Sequence, residues 1–485
     1  MVFTAVGMAP DNIKEGKVLH PDLMNPAILK AEYAVRGELY NRAMELAAQG
    51  REIIYTNVGN PHQLGGKPLT FNREVISLML SPWLLDLPQT QEMFRPEVIE
   101  RAREMSGFFG GAAGAYTDSR GVAGIRKEVA AFISERDGHA CDPESIFLTD
   151  GASVAVRYAL HALIRTRQDA ILCPIPQYPL YSAAIELFGG ELLPYHLREE
   201  SGWALDVSEI AQQIERARAR GVAVRGLVLI NPGNPTGQIA HEDNLRELIK
   251  LAHEEGLVLM ADEVYQPNIY VDRPFVSCKK VLREMGEPYA HGVELASFHT
   301  VSKGVTGECG LRGGYVEWVN FHPDTIAQLY KIASINLCPN TVGQACVGLA
   351  VNPPSQGTKA GKEHATETRA IHESMQRRAA KVTAAFNALP GVTCNPTEGA
   401  MYAFPRLHLP PKAVEAARAA GKAPDTFYCL ALLDYTGIVT VPGTGFGQVD
   451  GTWHMRTTIL PQEDVLDDFC NRFAEFHQQF MDKYA

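Results

Sequence analysis

The sequence predicts an α/β protein: a large domain on a mostly parallel, doubly wound sheet, followed by a smaller α+β domain. Three observations lead there. From about Ser81 to Ala350 short apolar runs alternate with helical patterns. Two of those runs, Leu227-Val228-Leu229-Ile230 and Leu257-Val258-Leu259-Met260, end in Asn-Pro or Asp soon after and read as buried parallel strands. Beyond about residue 390 the strand-like runs become shorter and mix with helix.

Taken in order, residues 1–25 read as an arm with little core of its own. An amphipathic helix is expected from Asn25 to Gln49, with Ile28, Leu29, Tyr33, Val35, Leu39, Met44 and Leu46 on its apolar positions. Asn57 to Pro61 reads as a strand end turning into a loop. Strands are expected at Ile146–Leu148, Ala170–Cys173, Leu227–Ile230, Leu257–Ala261, Leu295–Phe298 and Gly314–Trp318. Between the third and fourth, Leu245, Leu248, Ile249 and Ala252 recur at helical spacing, which makes a β-α-β unit. Asn234 and Asp262 should then emerge together at the carboxyl ends of neighbouring strands, the edge where open α/β sheets bind ligands.

The polar stretch Pro353 to Thr366 reads as a surface loop and Thr368 to Leu389 as a long helix. Val392–Cys394, Tyr402–Phe404, Ile438–Val441 and His454–Thr457 read as strands of the smaller domain, with Pro410 to Pro424 as a surface insertion. The expected division is 1–80 for arm, helix and part of the small domain, 81–350 for the large domain, and 351–485 for the small C-terminal domain.

Composition narrows the function. The chain has 485 residues, with 45 Lys plus Arg against 56 Asp plus Glu and a net charge of −11. That balance and the lack of a basic run argue against a nucleic-acid surface. No apolar run reaches the ~18 residues of a membrane span. Nine scattered cysteines without a C-x-x-C pair fit a reducing compartment. The expected location is cytoplasmic, with a removed mitochondrial presequence left open. Gly65-Gly66-Lys67 lacks the upstream glycine of a phosphate loop, and His241-Glu242 has no second histidine for zinc, so no metal is expected.

The chemistry concentrates around Lys303. It lies in Ser297-Phe298-His299-Thr300-Val301-Ser302-Lys303-Gly304, and Arg312 follows nine residues later. An amine able to condense with an aldehyde, flanking hydroxyls, and a guanidinium suited to a phosphate dianion together describe a site for pyridoxal 5'-phosphate (PLP). Lys303 would be nucleophile and proton shuttle. Asp262 would pair with the pyridine nitrogen, although it also suits a helix N-cap. Asn234 and Tyr265 would hydrogen-bond the phenolic oxygen. Arg312, Thr300 and, less directly, Ser302 would hold the phosphate. Gly151-Ala152-Ser153 would add backbone N–H groups where a helix begins after a strand. Cys309, near Lys303, reads as a packed thiol.

The order Asn234, Asp262, Tyr265, Lys303, Arg312 resembles the fold-type-I PLP-dependent aminotransferases of class I/II. The finer wording of Thr149-Asp150-Gly151-Ala152-Ser153, Pro176-Gln177-Tyr178-Pro179, Phe298 to Gly304, Met24-Asn25-Pro26 and Glu32 to Gly37 is similar to alanine aminotransferases. The resemblance runs from about Leu19 to the C-terminus. It implies transamination of L-alanine and 2-oxoglutarate to pyruvate and L-glutamate, ping-pong through pyridoxamine phosphate, in a homodimer. It implies that Tyr178 stacks on the pyridine ring and that Tyr116 reaches the phosphate of a neighbouring subunit. Arg456 would clamp the substrate α-carboxylate, with Gly59 and Asn234 also at the substrate. Another fold-type-I chemistry, with a different amino donor or an α,β-lyase reaction, would share these cofactor residues. So would a PLP-binding sensor module, though the chain has no DNA-binding segment.

Overall fold

A computed structural model describes residues 14–15, 17, 19–33, 37–111 and 113–485. The arm before Lys14, and Val35 of the expected first helix, lie outside the described residues.

Seven strands form the main sheet: β1 Ile146–Thr149, β2 Asp169–Ile175, β3 Glu191–His196, β4 Ala223–Ile230, β5 Val258–Asp262, β6 Leu295–Thr300 and β7 Gly314–Val319. Their spatial order is β1-β7-β6-β5-β4-β2-β3. β7 runs antiparallel to both β1 and β6, and the other pairs are parallel. Helices cover both faces. Along β4, Leu227 and Leu229 pack into one apolar cluster while Val228 and Ile230 pack into another on the opposite face. β5 divides the same way, with Leu259 and Ala261 on one side and Met260 on the other. A strand buried on both faces must be apolar at every position, which is why these runs showed no alternation.

Of the seven strands, β3 is the one not expected from the sequence. It sits at the sheet edge, carries Pro194 and a polar start at Glu191, and is only partly buried. Edge strands tolerate proline and polar residues, so its signal is weak.

Three expectations on the periphery are corrected. The helix expected over Asn25–Gln49 is two helices, Pro26–Lys30 and Glu38–Ala48. Extended backbone at Ala31 ends the first, and an extended Gly37 opens the second. The expected loop Pro353–Thr366 is mostly helix: a single helix runs Lys359–Asn387, capped by the Thr358 side chain on Gly361 N. Gly361 packs against the Ser355 backbone, where a Cβ has no room. Its glycine thus marks close approach, not a loop. The expected insertion Pro410–Pro424 contains the helix Pro411–Ala419, with proline at its first turn and Ala413 and Ala417 buried at helical spacing.

The small-domain strands occur near their expected places. Tyr402–Ala403, Met455–Thr458 and Val441–Pro442 form one small sheet. Ile54–Tyr55 pairs in parallel with Ile438–Val439, and Thr458 N donates to Thr56 O at 2.9 Å. Leu39, Leu46 and Ile54 share an apolar cluster with Phe386, Phe469 and Phe473. This packing brings Asn57 and Gly59 beside the strand that carries Arg456. Among the described residues no helix is long and apolar enough to cross a membrane.

Candidate active site

A cavity of about 630 Å³ opens at the carboxyl ends of β4, β5 and β6. Asn234, Asp262, Tyr265, Thr300, Ser302, Lys303 and Arg312 line it, with Gly59, Ala152, Ser153 and Tyr178. The β-α-β geometry delivers Asn234 and Asp262 together, as expected.

Asp262 is the last residue of β5, and Ile230 of β4 pairs with it in register. The chain continues as turns, and the next helix begins only at Cys278, so Asp262 is not a helix N-cap. Tyr181 donates its hydroxyl to Asp262 Oδ2 at 2.8 Å. The other oxygen, Oδ1, is buried without a partner. Burial pushes the carboxyl up to about 6, against the pull of the Tyr181 hydrogen bond, the neighbouring Val264 N–H, which lies outside hydrogen-bonding geometry, and the charge of Lys303. A buried, half-satisfied carboxylate is costly unless something cationic meets it.

Lys303 follows β6 in a turn. Its Nζ donates to the Gly59 carbonyl at 3.4 Å and lies 5.9 Å from the Tyr265 ring centroid. Asn234 Nδ2 donates to the Tyr265 hydroxyl at 3.2 Å, which in turn donates to the Tyr402 hydroxyl at 3.2 Å. Burial raises the Tyr265 phenol well above its ordinary value. Burial also pushes Tyr402 up, but Lys303, Arg456 and the Tyr265 hydrogen bond outweigh it and leave Tyr402 below its ordinary value.

At the other end, Arg312 Nη1 donates to Cys309 O at 2.9 Å and Ser302 Oγ at 3.3 Å, and Nη2 to Asp150 O at 3.1 Å. Arg312 itself has φ +55, and Gly151 has φ +79 with the guanidinium lying where a Cβ would project. Only glycine fits there. The helix Ala152–Leu163 starts here with no side-chain cap, which leaves its first N–H groups for a ligand. Thr300 Oγ1 donates to Gly313 O at 2.7 Å, so its proton is committed within the protein, and it accepts from Ser302 N at 3.2 Å.

Arg456 is 1% exposed and sits behind the cavity wall. Its Nη1 donates to Asn234 Oδ1 at 3.1 Å and its Nη2 to Asn57 O at 2.5 Å. The Tyr402 and Phe446 rings sandwich it, with Cζ 4.3 Å and 4.7 Å from their centroids. Tyr178 lines the cavity and shares a 2.6 Å hydrogen bond with Tyr33. Tyr116 is not brought in: it stands 79% exposed on the surface of this single chain.

Sequence reasoning missed Tyr181, Tyr402, Tyr33 and Asn57. Tyr181 had a faint signal, three residues after Tyr178 at the start of the helix Leu180–Phe188. Tyr402 had none, since a tyrosine on a short buried strand is ordinary core.

The family model described as aminotransferase class I and II matches residues 87–473. The chain belongs to the class I and II aminotransferases. Glutamate–glyoxylate aminotransferase 1 of Arabidopsis thaliana is 54% identical over 469 residues, covering 96% of this chain and 98% of its own. Alanine aminotransferase 2 of Panicum miliaceum is 51% identical over 473 residues, with 95% and 98% covered. In fold, the aminotransferase resembles an Escherichia coli aminotransferase structure, with TM-score 0.76 at 24% identity over 94% of this chain and 98% of that one. The expected α/β, fold-type-I architecture and the expected aminotransferase activity both stand.

Proposed function

We propose that this aminotransferase uses PLP to move an amino group between L-alanine and 2-oxoglutarate, giving pyruvate and L-glutamate. The observation that carries the reading is the unpartnered Oδ1 of Asp262, buried in a cavity that also holds an amine and a guanidinium. These residues fit the cofactor: a carboxylate for a protonated ring nitrogen, an amine for an aldehyde, and Arg312 with an uncapped helix start for a phosphate. When bound, PLP supplies an aldehyde for the amino group and an electron sink for the charge left on Cα.

The chain's own residues do the rest. Tyr181 fixes Oδ2 of Asp262 and so aims Oδ1 into the cavity. Asn234 would offer its second Nδ2 hydrogen to a developing oxyanion on the ring, and the Tyr265 hydroxyl would turn its proton from Tyr402 to the same atom. Arg312, Ser302 and the N–H groups of Ala152 and Ser153 hold the phosphate, with Gly151 keeping the approach open; Thr300 acts by positioning Ser302. Tyr178 packs over the ring. Arg456, held flat between two aromatic rings, offers its fork to the substrate α-carboxylate, and Gly59 and Asn234 border the same place. Lys303 Nζ would take the proton from substrate Cα and deliver it to the cofactor carbon that carried the aldehyde, C4′. The domain division at residues 80 and 350, and a cytoplasmic location, belong to the same reading.

The names of the relatives favour glyoxylate as a second acceptor, with glutamate as donor. Mixing the PLP-loaded protein with L-alanine alone should release about one pyruvate per site, by the ping-pong logic of covalent catalysis. Adding 2-oxoglutarate or glyoxylate then shows which acceptor returns the amino group faster. Ammonia release, or no pyruvate, would overturn the reading.

The same reading makes the active unit a homodimer in which Tyr116 completes its partner's phosphate site. Its exposure in the single chain supports this. Mixed dimers of Lys303→Ala and Tyr116→Phe chains give the lysine-bearing site an intact Tyr116 from across the interface. Such a site should bind PLP more tightly than a Tyr116→Phe homodimer by roughly 1.5–3 kcal/mol, the range of a charge-assisted hydrogen bond. Equal affinities would end the shared-site idea.

A further inference from the structure

Ile230 and Asn234 have the active-site cavity on one side and a second cavity on the other. The second measures about 100 Å³, and Leu197, Trp203, Leu229 and Ile239 supply its apolar wall. Exposed Ser201 and half-buried Asn244 add a hydroxyl and an amide where it meets solvent. An apolar cavity of about 150 Å³ holds benzene, so a single ring is the size this one admits. The charged groups that face it are already spent. Arg273 lies 2.8 Å from both the Glu398 carboxylate and the His241 ring, and the Tyr195 hydroxyl donates to Val228 O at 2.7 Å. A charged ligand would lose its water and gain no counter-charge.

Trp203 ties this wall to Arg456. It is 4% exposed and has φ +64, a left-handed conformation that a bulky residue rarely adopts. The turn Glu199–Ser201 and Gly202 turn it inward, with Trp203 N donating to Arg198 O at 2.8 Å. Its ring centroid lies 5.7 Å from that of His454 and 5.9 Å from that of Phe404. Phe404 in turn lies 5.9 Å from Phe446, one of the two rings that sandwich Arg456. Arg456 Nη1 returns to Asn234 Oδ1. The second cavity thus reaches Arg456 by two routes, through the aromatic chain and through Asn234.

We infer that this cavity is a second ligand site, for a neutral single-ring molecule with one polar substituent, and that its occupancy tightens the hold of Arg456 on the substrate α-carboxylate. The inference rests on the role proposed for Arg456. A ring in the cavity packs against Trp203, Ile230 and the back of Asn234 and restricts their movement. Ordering them before substrate arrives removes part of the entropy lost on substrate binding, so the two ligands bind cooperatively without touching.

The test uses the PLP-loaded protein, with phenol as the ring. Tryptophan fluorescence should change saturably with a Kd on the order of 1 mM. The change should vanish in Trp203→Phe, which keeps a ring in the wall. At saturating phenol, KM for L-alanine should fall about fivefold, the weak end of typical couplings, with kcat within about twofold. Ile239→Phe, which fills the space, should abolish both responses; the titrations of the unaltered protein stand without that variant should it fail to fold. The absence of a saturable fluorescence change, a change retained in Trp203→Phe, or a KM that stays fixed or rises in competition with alanine would overturn the inference. Failure of the proposed function looks different: the unaltered protein would show no alanine half-reaction without phenol, while phenol still changed its fluorescence.

Discussion

Lys303→Ala should abolish transamination, by at least ~10⁴-fold, while the protein still folds and still binds PLP. General-base catalysis alone contributes up to about 10⁴, and this lysine would also anchor the cofactor. The structural cost of the change is small. Lys303 is half-buried, and its Nζ makes one long hydrogen bond, to Gly59 O at 3.4 Å. Phosphate-end contacts through Arg312, Ser302 and the helix start would persist, so the variant should bind PLP without a covalent link. Borohydride reduction of the loaded wild-type protein, followed by peptide mapping, should place the label on Lys303. A label on another lysine, or full turnover by the alanine variant, removes Lys303 from the mechanism. Unchanged circular dichroism in the variant separates lost chemistry from lost fold.

How much of this was legible in the sequence follows from which physical signals are local. β4 and β5 were readable because a strand buried on both faces is a continuous apolar run, and the polar residues that end each run mark the sheet edge. Once β4 and β5 are neighbours, Asn234 and Asp262 must meet, and Lys303 at the end of β6 comes with them. Arg312 enters through β7, which turns back antiparallel beside β6. The peripheral errors have the opposite origin. Gly, Lys and Ser around Pro353 to Thr366 suggested a loop, yet tertiary packing of Ala360 and Gly361 turns most of it into helix. Tyr402, Asn57 and Phe446 reach Arg456 only through packing of the small domain, at separations no local pattern encodes.

Asp262→Asn should give the most diagnostic result, because it moves stability and activity in opposite directions. In the protein without cofactor, burial raises the Asp262 carboxyl to about 6, against an ordinary ~3.9. The unfolded chain therefore ionises first as pH rises, and the folded state binds the extra proton between about pH 4 and 6. Stability at this site is thus lost over that window and stays lower above it, by up to about 3 kcal/mol for a fully buried group. Asparagine cannot ionise, and its amide oxygen, placed where Oδ2 was, can still accept from Tyr181. The cofactor-free variant should then be more stable than the parent at pH 7.5, and the difference should shrink toward pH 4.5. With PLP bound the balance reverses. A charged Asp262 facing a protonated ring nitrogen is satisfied, and its neutral replacement no longer holds that proton. Loss of one such preorganised electrostatic partner slows chemistry by roughly 10²–10³-fold, so single-turnover removal of the alanine Cα proton should slow by at least that much, with PLP still bound. Melting curves of the cofactor-free proteins at the two pH values, set beside single-turnover rates of the loaded ones, decide the matter. An unchanged proton-removal rate, or a stability gap that does not depend on pH, would show that Asp262 is a structural residue that merely sits in the cavity.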